Sequence, residues 1–180
     1  MFENCLNSLE LDLNQVLIDL ELLREAEILR EYYDFLQGNH IQSNVPFTLI
    51  LVSIHSFDHL VQQHGVDVMK EALMEIHKYL AQEKGSLDNI FRLPIQHTWV
   101  LLIKQSSIKE TVKFLEKLVR DAPSIEREGI STIYLKLSGC IIEASSKKLD
   151  MQRMLEVGKS QLEEALKSGP FAVKVAKYRG

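Results

Sequence analysis

Four histidines stand where they could do chemistry. His55 and His59 are four residues apart, His64 follows, and His97 lies in the run "PIQHT" between two apolar stretches. Two or three neutral imidazoles could hold a soft divalent metal, because zinc and its neighbours accept nitrogen ligands. His97 is also the side chain of "PIQHT" suited to act as a general base near neutral pH. Lys70 and Arg92 could hold a phosphate, with Gln96 and His97 beside them. The plainer readings stand alongside. The histidines would then be surface groups at a polar rim, Lys70 a solvated cation, and Arg92 a structural partner of Asp88.

These residues need elements to position them. "FTLILVSI", starting at Phe47, is a continuous apolar run rich in β-formers and predicts a buried central strand. "SFDHLVQQHG" predicts a short helix with Ser56 as N-cap. In the helix predicted for "VDVMKEALMEIHKYLAQEKG", Val68, Ala72, Ile76 and Leu80 recur at helical spacing. "NIFRLPIQHTWVLLI" predicts two short strands joined by Pro94, Ile95, Gln96, His97 and Thr98. Ile108, Val112, Leu115, Leu118 and Val119 mark the core face of the next helix. "PSIEREGI" predicts a loop. "STIYLKLSGCIIEA" predicts one long strand, or two pieces joined near Gly139. A last helix closes at Gly169, and "FAVKVAKY" predicts a final strand. Trp99 and Cys140 are expected in the core, with the thiol inert.

Ahead of all this, residues 6–37 predict one long helix. Leu9, Leu13, Val16, Leu20 and Leu23 form one stripe, and Leu29 and Leu36 belong to a second that continues it with a phase shift. That is more apolar surface than one narrow seam needs, so the helix either packs on its own domain or pairs with a second copy. The expected organisation is a helix and linker over 1–44 and a domain over 45–180. The element order, β-α-α-β-β-α-β-α-β after the helix, implies an α/β (α+β) sandwich, a mixed sheet with flanking helices.

Composition narrows the classes. The 180 residues suffice for one domain with a real core, and 46% hydrophobic with 26% charged residues is ordinary for a soluble globular chain. A net charge of -4 implies no broad basic surface and argues against non-specific nucleic-acid binding. Cys5 and Cys140 fit no metal spacing, which points to a reduced, cytoplasmic protein. The acidic start "MFENCLNSLELDLNQ" is unlike a signal peptide, and no apolar run reaches the roughly 18 residues of a membrane helix. No membrane insertion is expected.

The order and several residues resemble the GGDEF domain of diguanylate cyclases, over roughly residues 45–178. Phe57, Gly65, Leu73, Asp88, Ile90, Arg92, Ser138 and Gly169 match the family's scaffold pattern. The chemical positions depart from it. Ser53 and His55 stand where the family has the two acids of Asp-x-Asp, and Val61 and Lys70 replace its guanine-reading Asn and Asp. The signature Gly-Gly-Asp-Glu-Phe falls on Pro94, Ile95, Gln96, His97 and Thr98. Cys140 replaces a glycine, and Leu166 a phosphate-contacting lysine. The family's product-binding Arg-x-x-Asp falls on Gly85 to Asp88, so its arginine is lost.

The family reaction, which joins two GTP molecules into cyclic di-GMP, needs divalent ions on carboxylates. Ser53 and Gln96 offer neutral oxygens. Pro94 lacks an amide donor, and Ile95 places a β-branched side chain where glycine left space for a nucleotide. The resemblance therefore implies a catalytically inactive regulatory or scaffolding module, cofactor-free, forming a homodimer through its first helix and meeting a protein partner. The alternative is a nucleotide-binding sensor, or an enzyme with residual turnover, using Lys70, Arg92, Gln96 and His97.

Overall fold

A computed structural model describes residues 47–83, 89–93, 97–104, 107–127, 129–144 and 150–178 of the chain. The helix expected over residues 6–37, with its stripes from Leu9 to Leu36, lies outside these residues, as do Pro94, Ile95 and Gln96.

The strand expected at "FTLILVSI" is β1 (Phe47–Ile54). Two helices follow, α1 (Phe57–His64) and α2 (Val66–Glu83). The hairpin strands are β2 (Asn89–Leu93) and β3 (Thr98–Lys104). Next come α3 (Ile108–Arg120), β4 (Ser124–Arg127), β5 (Ile130–Tyr134) and β6 (Leu137–Ala144). The described chain closes with α4 (Met151–Ser168) and β7 (Val173–Tyr178). Five strands form one sheet in the order β2-β3-β1-β6-β7. All neighbours are antiparallel except β6 and β7, which run parallel because α4 carries the chain back between them. The sheet is mixed, as expected.

β1 lies at its centre, paired with β3 on one side and β6 on the other. Both of its faces are buried. Ile50, Val52 and Ile54 join Ala72, Ile76 and Leu80 of α2 and Leu115 and Leu118 of α3 in one cluster. Leu49 and Leu51 join Val100, Leu102, Cys140, Ile142, and Met154 and Leu162 of α4 in the other. The helical stripes follow from 3.6-residue periodicity: α2 buries Val68, Ala72, Ile76 and Leu80 as expected, and Met69 and Leu73 beside them. α3 starts at a capping box, in which the Glu110 amide donates to Ser107 Oγ and the Ser107 amide donates to the Glu110 carboxylate.

The structure corrects four expectations. Ser56 is not a side-chain N-cap; it sits in the left-handed region at φ 57° with no capping bond. "PSIEREGI" is not a loop throughout, because Ser124–Arg127 pairs with β5 in a separate two-stranded sheet. The break in "STIYLKLSGCIIEA" comes at Leu135–Lys136, where the chain leaves that small sheet for the large one, and Gly139 lies inside β6. Thr98 belongs to β3, paired with Leu93 and with Ser53, and not to the turn.

Two close approaches at Leu51 set the spacing of the layers. A Cβ on Gly139 would lie 2.9 Å from the Leu51 carbonyl oxygen and 3.0 Å from Leu115 Cδ1. A Cβ on Gly158, in α4, would lie 2.8 Å from Leu51 Cδ1. Backbone therefore holds position 139 to glycine, while at Gly158 an added Cβ would meet the end of the Leu51 side chain. Gly139→Ala removes backbone freedom from the unfolded chain, a gain of about 0.5–1 kcal/mol, but forces an overpacked contact against backbone costing about 1–3 kcal/mol. The expected outcome is a net loss of roughly 1–2 kcal/mol, read from urea denaturation; a variant as stable as the parent would show that the strands can move apart at Leu51 without cost.

Candidate functional site

The carboxyl end of β1 is where the chain's candidate residues converge, as is common in sheets covered by helices. The register places Ser53 between Thr98 of β3 and Ser138 of β6. The three hydroxyl residues form a row across the sheet, 3%, 0% and 0% exposed respectively. Such groups require partners once out of water. Ser138 donates to the Gly169 carbonyl at 3.0 Å, which fastens the start of β6 to the end of α4. Ser53 Oγ donates to the His97 carbonyl at 3.4 Å, a long bond that reaches the hairpin turn.

Beyond Ser53 the chain turns sharply. The His55 amide donates to the Lys136 carbonyl at 2.7 Å, and Ser56 takes its left-handed conformation before Phe57 opens α1. His97 is left-handed too, at φ 46°. Such conformations cost a non-glycine residue about 1–2 kcal/mol each, so the surrounding contacts must hold them. The two turns meet face to face. The rings of Phe57 and His97 stack with centroids 3.4 Å apart and an interplanar angle of 27°.

This stacked pair lines two clefts. The larger, about 550 Å³, lies between the β1 turn and α4. Ser53, His55, His59, His97 and Thr98 line it from one side, and Lys159, Leu162, Glu163 and Leu166 from the other, with Asp58 at α1. The smaller, about 330 Å³, lies between α1 and α2 and is lined by Phe57, Asp58, Val61, Val66, Met69, Lys70, Leu73 and His97.

Electrostatics favour a neutral His97. Burial pushes its pKa below the ordinary 6.5, the Arg92 guanidinium pushes it the same way, and Asp58 opposes them. The Nδ1 atoms of both His97 and His55 are buried without a hydrogen-bond partner among the described residues. Cys140 lies in the core cluster with Met154 and Leu162 of α4, where burial pushes its thiol up to about 12 and Sγ donates to the Gly158 carbonyl at 3.2 Å. That thiol is unreactive at neutral pH.

The candidate residues are thus only partly brought together. Ser53, His55, His59, His97 and Thr98 share the larger cleft, while Val61, Lys70 and His97 share the smaller. His64 lines neither of the two. Arg92 acts on His97 through its charge but is not in the lining of either cleft, whereas Lys70 lines the smaller. Among the described residues, no three His, Cys, Asp or Glu side chains are grouped so as to hold a metal ion. Trp99 is fully buried core. Sequence reasoning missed Asp58, Lys159 and Glu163. The pattern on α4 could have shown the last two, because Lys159 and Glu163 flank Leu162 beside the buried stripe of Met154, Gly158, Leu162 and Ala165.

No protein-family model matches the sequence, and no curated protein matches it. Solved structures do. The diguanylate cyclase SiaD from Pseudomonas aeruginosa, in complex with its activator SiaC, superposes with a TM-score of 0.74 at 17% identity, covering 98% of this chain and 72% of that one. The chain carries a GGDEF-type fold. The coiled coil and GGDEF domain of DgcB from Caulobacter crescentus, in complex with c-di-GMP, superposes with a TM-score of 0.75 at 11% identity, covering 97% of this chain and 99% of that one. The FimX GGDEF domain from P. aeruginosa gives 0.67 at 16% identity, over 83% and 93%. At such identities the likeness is one of fold. Within the GGDEF-type fold, the matched scaffold residues have visible work: Ser138 bonds Gly169, Phe57 stacks on the hairpin turn, and Gly65 closes α1 at φ 87°.

A pH dependence follows from His97. Its pKa is depressed in the folded chain, so below 6.5 the unfolded chain binds the proton first. The stability it contributes is present above that value and is lost as pH falls through the folded pKa. The melting temperature should therefore drop between pH 7 and pH 5, and by less in His97→Asn, which suits the left-handed turn. An equal drop in the variant would remove His97 as the cause.

Proposed function

We propose that this chain is a GGDEF-type signalling module that does not make cyclic di-GMP and acts instead through protein contacts. The observation that carries this reading is Ser53. The residue at the resembled family's first metal-binding acid is a 3%-exposed hydroxyl engaged with the His97 carbonyl. A neutral, engaged hydroxyl does not offset the cost of stripping water from a magnesium ion. The guanine-reading positions point the same way, since Val61 and Lys70 face a largely apolar cleft.

In this reading residues 1–44 form a dimerising helix and linker and residues 45–180 the domain. Support comes from the apolar stripes between Leu9 and Leu36, and from the match of a chain comprising a coiled coil and a GGDEF domain over 97% of this one. A protein partner is supported by the complex of SiaD with SiaC. No helix among the described residues is long and apolar enough to cross a membrane.

A second reading, nucleotide sensing or residual turnover, is favoured by one observation: a neutral His97 borders both clefts, with Lys70 in the lining of the smaller. Arg92 and Gln96 would assist it.

The test is incubation of the full chain with GTP and Mg²⁺ or Mn²⁺, together with the molar mass of the full chain and of a chain starting at Asn44. The expected outcome is no cyclic di-GMP, a dimeric full chain and a monomeric shortened one. Formation of the cyclic dinucleotide would sink the first reading, and a monomeric full chain would sink the pairing. Absence of any GTP-induced thermal shift, with and without metal, would remove the second reading.

A further inference from the structure

We infer that the smaller cleft binds a small zwitterion with an apolar body, of the class of free hydrophobic α-amino acids. This deepens the proposed function by giving the module a ligand, and it rests on the reading that guanine is no longer bound there.

The cleft's size comes first. At about 330 Å³ it stands at the low end of the about 300–1,000 Å³ typical of small-molecule sites, so it suits a molecule of few heavy atoms. Its chemistry comes second. Val61, Met69 and Leu73 supply an apolar floor, and Phe57, braced by its stack on His97, supplies an aromatic wall. An alkyl or aryl group loses nothing there and is removed from water.

Charge comes third, and it selects the head group. The lining carries one cation and one anion, Lys70 from α2 and Asp58 from α1. Lys70 is ion-paired to Asp67 at 3.6 Å with side-chain exposures of 71% and 91%, a contact worth little in water and readily exchanged. Lys70 would take a carboxylate, and Asp58 an ammonium. A simple fatty carboxylate would satisfy Lys70 but meet Asp58, and a simple amine the reverse. A molecule bearing both charges next to an apolar body complements both charges and the apolar floor. Val66, 58% exposed, extends the apolar surface outward and leaves room for side chains of different length.

The experiment titrates the full chain by calorimetry with 2-aminooctanoate, octanoate and octylamine, and with guanosine as control. The expected result is saturable binding of 2-aminooctanoate at least tenfold tighter than either singly charged probe. Lys70→Gln and Asp58→Asn, both at exposed helix positions, should each weaken it at least tenfold, and Lys70→Gln should do so without changing the melting temperature. Equal affinity for the three probes, or binding untouched by both substitutions, overturns the inference. Binding of neither 2-aminooctanoate nor guanosine overturns it alone and leaves the disarmed reading intact. Guanosine binding that 2-aminooctanoate cannot match overturns both.

Discussion

The structure depends on how closely other backbone can approach β1 at Leu51. That strand is hydrogen-bonded on both edges and buried on both faces, so Leu49, Ile50, Leu51 and Val52 are fully enclosed. Burial of side chains this size stabilises by about 1.5–3 kcal/mol each, which makes this strand the main anchor of the core. Gly139 lets β6 and α3 close in against Leu51 on one side, and Gly158 gives its side chain room under α4 on the other. Cys140 adds a weak bond from its thiol to the Gly158 carbonyl at the same point.

The site follows from the place where that apolar strand ends. Ser53 is the first polar side chain after the core run, and the register sets it beside Thr98 and Ser138. Burial demands internal partners, and Ser53 reaches the turn at His97 while Ser138 reaches the helix end at Gly169. The hydroxyl row thus ties the hairpin, the central strand and α4 into one rim. Phe57 and His97 stack on top of it, and their contact helps to hold two left-handed turns that an isolated chain would avoid. The stack borders both clefts.

Charge is distributed unevenly around this rim. Asp58 and Glu163 face Lys159 and three histidines in the larger cleft, whereas the smaller is mostly hydrocarbon with one charge of each sign. A site built to hold a triphosphate with divalent ions would concentrate carboxylates and glycines at the strand end and hairpin tip. Here the strand end carries a serine and a histidine, and the sequence between β2 and β3 reads Pro94-Ile95-Gln96-His97. The GGDEF-type fold here carries clefts whose described lining lacks that concentration.

Much of this was present in the residues alone. The continuous run "FTLILVSI" can be buried only as a central strand, and the 3.6-residue stripes of α2 and α3 face the core wherever the helices are placed. The choice of Ser53, His55, Val61, Lys70 and His97 as the residues to watch also came from sequence. What needed tertiary structure was everything set by contacts between distant segments. Ser56 could not be recognised as a left-handed turn residue, because what holds it comes from Lys136 and His97, far along the chain. "PSIEREGI" reads as a loop because its partner strand, not its composition, makes part of it β. Lys159 and Glu163 join the site only because Gly158 seats α4 against Leu51. Local periodicity is written into a short window of sequence, whereas register, close approach and the lining of a cleft are properties of segments that meet only in the folded chain.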